Sequence, residues 1–368
     1  MKRLAIYLTG HGYGHMTRTM EIAREVRSLR PEWELHVRTV HEELLIEQAL
    51  GFAPTSYEPV QLDIGLVQKD SLRWDPEATV ERLAYYFGYE GDQLVEREAQ
   101  WLRDHNVDAA LLDIPPRGFD ACRLAKVPAY GITNFSWDWI WADLVEEEPR
   151  LERFSRCARV AYGSCRRLFE IQMAAGLDAF PVREQVPVVA RISNREPDEV
   201  RDILGLDPNR IAVTLSYGGE GLNGALQIPA RLHERFQFLV TQPMEDPGEP
   251  FTHVRNADLE AADLRYCDLV RATDIVMTKP GYSITAECAA NRTAVVYSDR
   301  GRFAEYPFIV DFIETYLPSA FLAGDDLRAG RWEEALTGLA DRMPFQFTDV
   351  RVDGARHVAR RLAEEVEG

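Results

Sequence analysis

The sequence predicts an α/β protein made of two doubly wound halves. Three features carry that expectation. Short apolar runs bounded by turn residues alternate with longer amphipathic stretches, the alternation occurs in two separate series, and glycine-rich turns directly follow several of the runs. Such alternation implies parallel sheets joined by crossover helices. At 368 residues the chain exceeds one ordinary core and fits two domains.

Taken in order, the first half is read over residues 1–180. Its strands are "LAIYLT", "LHVRTV", "AALLDI", "PAYGITNF" and "ARVAYG". After the first of these, Met16, Met20, Ala23, Val26 and Leu29 recur every three or four positions, with Arg24, Glu25 and Arg27 on other faces. That spacing predicts a helix packed on a sheet. Between Phe180 and Val200 prolines and a charged run interrupt the periodicity. The second half, 181–345, carries the strands "IAVTLSYGG", "FQFLVTQ", "DIVMTKPG" and "TAVVYSDRG". In the last segment, 346–368, "DGARHVARRLAEEVEG" reads as an amphipathic helix returning to the first half.

Composition narrows the function classes. With 46% hydrophobic and 28% charged residues the chain is globular, and its formal charge of −18 repels nucleic acid and anionic lipid. No stretch approaches the ~18 apolar residues of an integral membrane segment. The five cysteines, at 122, 157, 165, 267 and 288, are odd in number and scattered, which fits a reducing cytoplasm.

Ligands of doubly wound sheets bind beyond the carboxyl ends of the strands, so the residues just after each strand carry the information. After the first comes "TGHGYGHMTR". It lacks the G-x-G-x-x-G spacing and the later acidic residue of a dinucleotide fingerprint. Three readings stay open for His11 and His15: a metal pair, a glycine turn whose histidine caps a helix, or a general base. Gly12 and Gly14 make the stretch a turn, which weakens the metal reading, and no further ligand motif accompanies it. Imidazole suits proton transfer near neutral pH, and glycines let a substrate approach the backbone, so the base reading is favoured.

In "DIVMTKPGYSITAECAANRTAVVY" a strand ends at Met277, a turn follows and a helix begins near Ser283. The unpaired amides of a helix start form an anion site, able to hold a diphosphate without a metal. Ser283 either caps the helix or meets a phosphate, and Glu287, one turn on, is placed for vicinal ribose hydroxyls. In "SYGGEG", Gly218 and Gly219 offer further backbone amides.

Together these residues resemble the GT-B glycosyltransferases, in particular the branch of the bacterial GlcNAc transferase that makes the peptidoglycan lipid intermediate. They are more similar still to the glycosyltransferase-like N-terminal half of plant-type L-arabinokinases. "TGHGYGHMTR", "TNFSWDW", "VPVVAR", "DIVMTKPGYSITAE" and "RGRFAEYPFI" have counterparts there in the same order, covering nearly the whole chain. The sugar-kinase half is missing, so the resemblance does not make this chain a kinase. It implies a GT-B fold, two Rossmann-like domains facing across a cleft.

What the resemblance implies residue by residue is a catalytic His15, with His11 as a further catalytic residue and Gly14 as a donor contact in the same loop. The donor would be held by Arg191 on its diphosphate, by Ser216, Gly218 and Gly219 in one phosphate loop, and by Lys279, Gly281, Tyr282 and Ser283 in a second. Glu287 would take the ribose and Glu305 the donor sugar; uridine is the implied base. "TNFSWDW" is not shared with the peptidoglycan enzyme and points to another acceptor, with Asn134 and Trp137 as acceptor contacts, Trp139 as a second stacking ring and Asp138 or Asp113 assisting or replacing His15.

Three functions follow: an inverting, metal-independent transferase using a nucleotide sugar as co-substrate, a nucleotide-sugar 2-epimerase-like enzyme, or a non-catalytic nucleotide-sugar-binding regulator. No cofactor or metal is expected. The partners are a nucleotide-sugar donor and an unidentified acceptor.

Overall fold

In a computed structural model, residues 1–68, 74–217, 230–241, 251–301 and 303–368 are described. The chain divides into two compact units, Met1–Ala190 with Asp353–Gly368, and Arg191–Val352.

The first unit is built on seven strands: β1 (Arg3–Leu8), β2 (Glu34–Arg38), β3 (Ser56–Glu58), β4 (Ala109–Asp113), β5 (Ala129–Thr133), β6 (Arg167–Glu170) and β7 (Arg183–Gln185). They form one parallel sheet in the order β3-β2-β1-β4-β5-β6-β7. Every residue of β4 is buried, as a strand covered on both faces requires, which is why "AALLD" shows no alternation. The helix Tyr13–Leu29 buries Met16, Met20, Ala23 and Val26. It begins at Gly12, whose φ of 78° is costly for a side-chain-bearing residue. Gly14 and His15 therefore lie in the first helical turn rather than in a loop, a correction to the turn expected there. The helix Gly354–Glu367 packs against Tyr13–Leu29, and Arg30 clamps Glu367 through Nε and Nη2 at 2.5 and 2.7 Å.

"ARVAYG" is not a strand. Residues Leu151–Tyr162 form a helix that buries Leu151, Phe154, Ala158, Ala161 and Tyr162 and leaves Val160 73% exposed. Three-to-four spacing with charged residues between is the helical pattern, and it outweighs the short apolar run. The neighbouring strand is β6, "RLFE", which the sequence reading passed over, as it did the short β3 and β7.

The second unit carries β8 (Ile211–Ser216), β9 (Phe236–Val240), β10 (Phe251–His253), β11 (Ile275–Thr278), β12 (Ala294–Ser298) and β13 (Ser319–Leu322). These also pair in parallel, in the order β10-β9-β8-β11-β12-β13. One face packs Val213, Phe236, Phe238 and Met277 around the fully buried Trp332. The other packs Ala212 and Leu239 under Leu259, Leu264 and Leu269. Among the described residues no helix is long and apolar enough to cross a membrane.

Candidate active site

Each sheet reverses its strand order once, between β1 and β4 in the first unit and between β8 and β11 in the second. At such a reversal adjacent crossovers run to opposite sides, opening a crevice at the carboxyl ends of the strands. The candidate residues collect at these two points.

In the first unit the turn after β1 is tied to β4 by Thr9 N–H donating to the Asp113 carbonyl at 3.0 Å. Asp113 is the last residue of β4 and is fully buried. Its Oδ1 lies 2.8 Å from His15 Nδ1 and accepts from Arg18 Nη2 at 2.7 Å; its Oδ2 accepts from Arg18 Nε at 2.7 Å and Thr19 Oγ1 at 2.9 Å. Arg18 Nη1 donates onward to Asn134 Oδ1 at 2.8 Å. Burial alone would raise the Asp113 carboxyl, but the Arg18 and His15 charges and hydrogen bonds overcome it and hold the group well below the usual carboxylate range. Of the two contacts at Nδ1, the acceptor Asp113 Oδ1 at 2.8 Å calls for a proton on that nitrogen and leaves the lone pair on Nε2, whereas the donor Arg18 Nη2 at 2.9 Å calls for the reverse tautomer. Nε2 has no partner among the described residues and is not sealed from solvent, His15 keeping 9% of its side chain exposed. In the tautomer that Asp113 favours, Nε2 can accept a proton with a carboxylate partner already in place behind the ring.

His11 stands beside this dyad, its ring edge-on to Trp137 at 5.2 Å between centroids. Both pack over Gly65, where a Cβ would come within 2.4 Å of His11 Nδ1, so only glycine fits. Asn134 and Trp137, the expected acceptor contacts, offer no open face. Asn134 is fully buried and held by Arg18, and Trp137, 1% exposed, is enclosed by His11, Phe135 and Trp141. Trp139 packs on Gly176. Asp138 points elsewhere, its Oδ2 3.4 Å from Arg159 Nη1, and burial raises its carboxyl. Trp137 Nε1 donates at 2.9 Å to Asp63 Oδ2. The other oxygen of Asp63 is buried with no hydrogen bond among the described residues, and burial pushes this carboxyl up to about 7.

In the second unit β8 and β11 run in register with Ser216 opposite Thr278. Just beyond them the helix Tyr282–Asn291 starts at Gly281, which has no side chain with which to cap it. Ser283 is thus inside the first turn, after half-buried Lys279 and buried Tyr282. Glu287, 3% exposed on its side chain, accepts from Arg191 Nε at 2.5 Å. Tyr266 O–H donates to Ser216 Oγ at 2.7 Å. Glu305 is buried, 3.4 Å from Arg300 Nη1, and the same nitrogen donates to the Pro280 carbonyl at 2.9 Å, drawing Glu305 toward the helix start. The structure thus gathers Arg191, Ser216, Lys279, Gly281, Tyr282, Ser283, Glu287 and Glu305 around one switch point. Gly218 and Gly219 lie outside the described residues.

Sequence reasoning missed Arg18, Thr19, Asp63 and Arg300. Arg18 and Thr19 had a signal: three and four positions after His15, they share its helix face. Asp63, in an irregular segment before the first described helix of its region, had none.

These two reversed parallel sheets match solved transferases over essentially the whole chain. UGT71G1 of Medicago truncatula, solved with UDP-glucose, superposes with a TM-score of 0.61 at 11% identity, covering 100% of this chain and 99% of that one. The chain has the GT-B fold. MurG of Acinetobacter baumannii, another GT-B protein, gives a TM-score of 0.53 at 12% identity over 99% of this chain and 100% of that one. In sequence the chain is 28% identical over 366 residues to an L-arabinokinase of Arabidopsis thaliana, covering 99% of this chain and 34% of that protein. It therefore spans about a third of that relative's length. No family model matches the chain.

Proposed function

We propose that the chain is an inverting glycosyltransferase that moves a sugar from a uridine-diphosphate sugar to an acceptor hydroxyl, acting in the cytoplasm, where its five unpaired cysteines are at home. The observation that carries the reading is the His15–Asp113 pair, with Nε2 of His15 left accessible at the first switch point. Solved GT-B proteins that bind UDP or UDP-glucose support the choice of donor.

In this reading His15 Nε2 removes the acceptor hydroxyl proton as the oxygen attacks the anomeric carbon. The carbon–oxygen bond to the diphosphate breaks on the opposite side, so the configuration inverts. Asp113 stabilises the imidazolium that forms. The departing diphosphate is received by the positive end of the Tyr282–Asn291 helix. Nothing in this sequence calls on a metal or cofactor, and the net charge of −18 disfavours nucleic acid as the acceptor.

The test is incubation with UDP-glucose and other UDP-sugars, with and without a panel of hydroxylated acceptors, followed by UDP assay and by NMR of the product's anomeric centre. Acceptor-dependent UDP release with inversion supports the proposal. A sugar isomerised without acceptor, or UDP binding without turnover across the panel, overturns it.

A further inference from the structure

We propose that Arg191 is a positioning residue for Glu287: by holding one carboxylate oxygen it presents the other to a single ribose hydroxyl, making this unit selective for ribonucleotides over their deoxy counterparts. The inference rests on the nucleotide-sugar reading above and adds a role that differs from a diphosphate contact.

Arg191 Nε donates to Glu287 Oε1 at 2.5 Å, and the two side chains are only 19% and 3% exposed. Burial alone would lower the guanidinium, but Glu287 more than offsets it and the group is held above its ordinary value. A carboxylate this deep is unfavourable without a cation, so the pair is mutually required. The bond to Glu287 uses Nε and leaves the Nη1 and Nη2 donors for other acceptors; losing the Nε bond would leave Glu287 buried without its cation. Glu287 Oε2, by contrast, has no hydrogen bond among the described residues and is not sealed from solvent. One oxygen is fixed and the other is offered.

The main chain fixes the arrangement a second time. Asn291, one turn after Glu287, donates through Nδ2 to the carbonyls of Arg191 at 3.1 Å and Glu287 at 2.9 Å, and its Oδ1 accepts from Ser193 N–H at 2.9 Å. Both ends of the ion pair are thus clipped to one amide. The Arg191 guanidinium also lies over the Tyr266 ring at 5.7 Å, and that ring's hydroxyl bonds Ser216 at the end of β8. A carboxylate held this way loses little freedom when a ligand hydroxyl arrives, and a nucleotide lacking that hydroxyl leaves Oε2 without its partner.

The experiment is calorimetric titration of the full chain and of Arg191→Ala, Arg191→Lys, Glu287→Ala and the Arg191→Ala/Glu287→Ala double variant. The probes are UDP, 2′-deoxy-UDP and 3′-deoxy-UDP, with melting curves confirming that each variant is folded. The full chain is expected to bind UDP about tenfold more tightly than one of the two deoxy probes. Arg191→Ala should lose most of that difference while binding that probe as the full chain does. Arg191→Lys should recover part of it, and the double variant should bind UDP no more weakly than Glu287→Ala alone. Equal weakening of all three probes by Arg191→Ala would mark a diphosphate contact and overturn the proposal, as would unchanged UDP affinity or additive losses in the double variant. If the unmodified chain binds no UDP, the nucleotide-sugar reading fails first and this inference with it.

Discussion

Replacing Asp63 with asparagine should make stability less dependent on pH. The carboxyl is 3% exposed, accepts a hydrogen bond from Trp137 and faces no cation among the described residues, while Asp113 adds like charge nearby. Burial raises it from 3.8 to about 7, and Thr9, Gly10 and Trp137 only partly oppose the rise. The folded state therefore holds a proton between about pH 4 and pH 7 that the unfolded state releases. The stabilising contribution is complete below about pH 4 and lost as pH rises through 7. A separation of about 3 pKa units corresponds to roughly 4 kcal/mol, an upper bound. Asparagine keeps an acceptor for Trp137 and cannot ionise. Relative to the parent, Asp63→Asn should gain up to about 4 kcal/mol between pH 4 and pH 8. Six of the seven tryptophans lie in the first unit, so urea unfolding followed by tryptophan fluorescence at a series of pH values reads the relevant transition. Parallel stability curves for parent and variant would refute the reasoning, because they would mean that Asp63 is ionised in the folded state as readily as in the unfolded one.

Further outcomes concern the proposed chemistry. His15→Ala should lower acceptor-dependent turnover by about 10²–10⁴ and leave UDP affinity within a few-fold, by steady-state kinetics and calorimetry. Asp113→Asn should lower turnover and also destabilise the first unit by about 3–5 kcal/mol in urea, since Arg18 is left buried without its carboxylate. Turnover should persist after exhaustive EDTA treatment and dialysis, measured as UDP release; its loss, restored by added Mg²⁺ or Mn²⁺, would contradict the assignment of the leaving group to helix amides.

Much of the fold is legible along the chain. "LAIYL", "AALLD" and "AVVYS" are continuous apolar runs because their strands are covered on both faces, and the runs end where turn residues begin. "ARVAYG" misled because a short apolar run looks alike in a strand and in a helix, and only the wider spacing of Leu151 and Phe154 separates them. β3, β7 and β10, three residues each, are too short for any period to show.

Chain order alone shows that chemistry-bearing residues follow the strands: two histidines after β1, and a turn opening into a helix after β11. Strand ends are marked by local residues, and local residues are what a sequence displays. Which of them meet is set by the folded arrangement. Asp113 reaches His15 because β4, 98 positions away, pairs with β1 rather than with β3. Arg191 reaches Glu287 across 96 positions. The same arrangement encloses Asn134 and Trp137 and turns Asp138 to Arg159. Such partnerships are set by strand order and by which buried charges neutralise one another, and neither quantity is a property of any short stretch of chain.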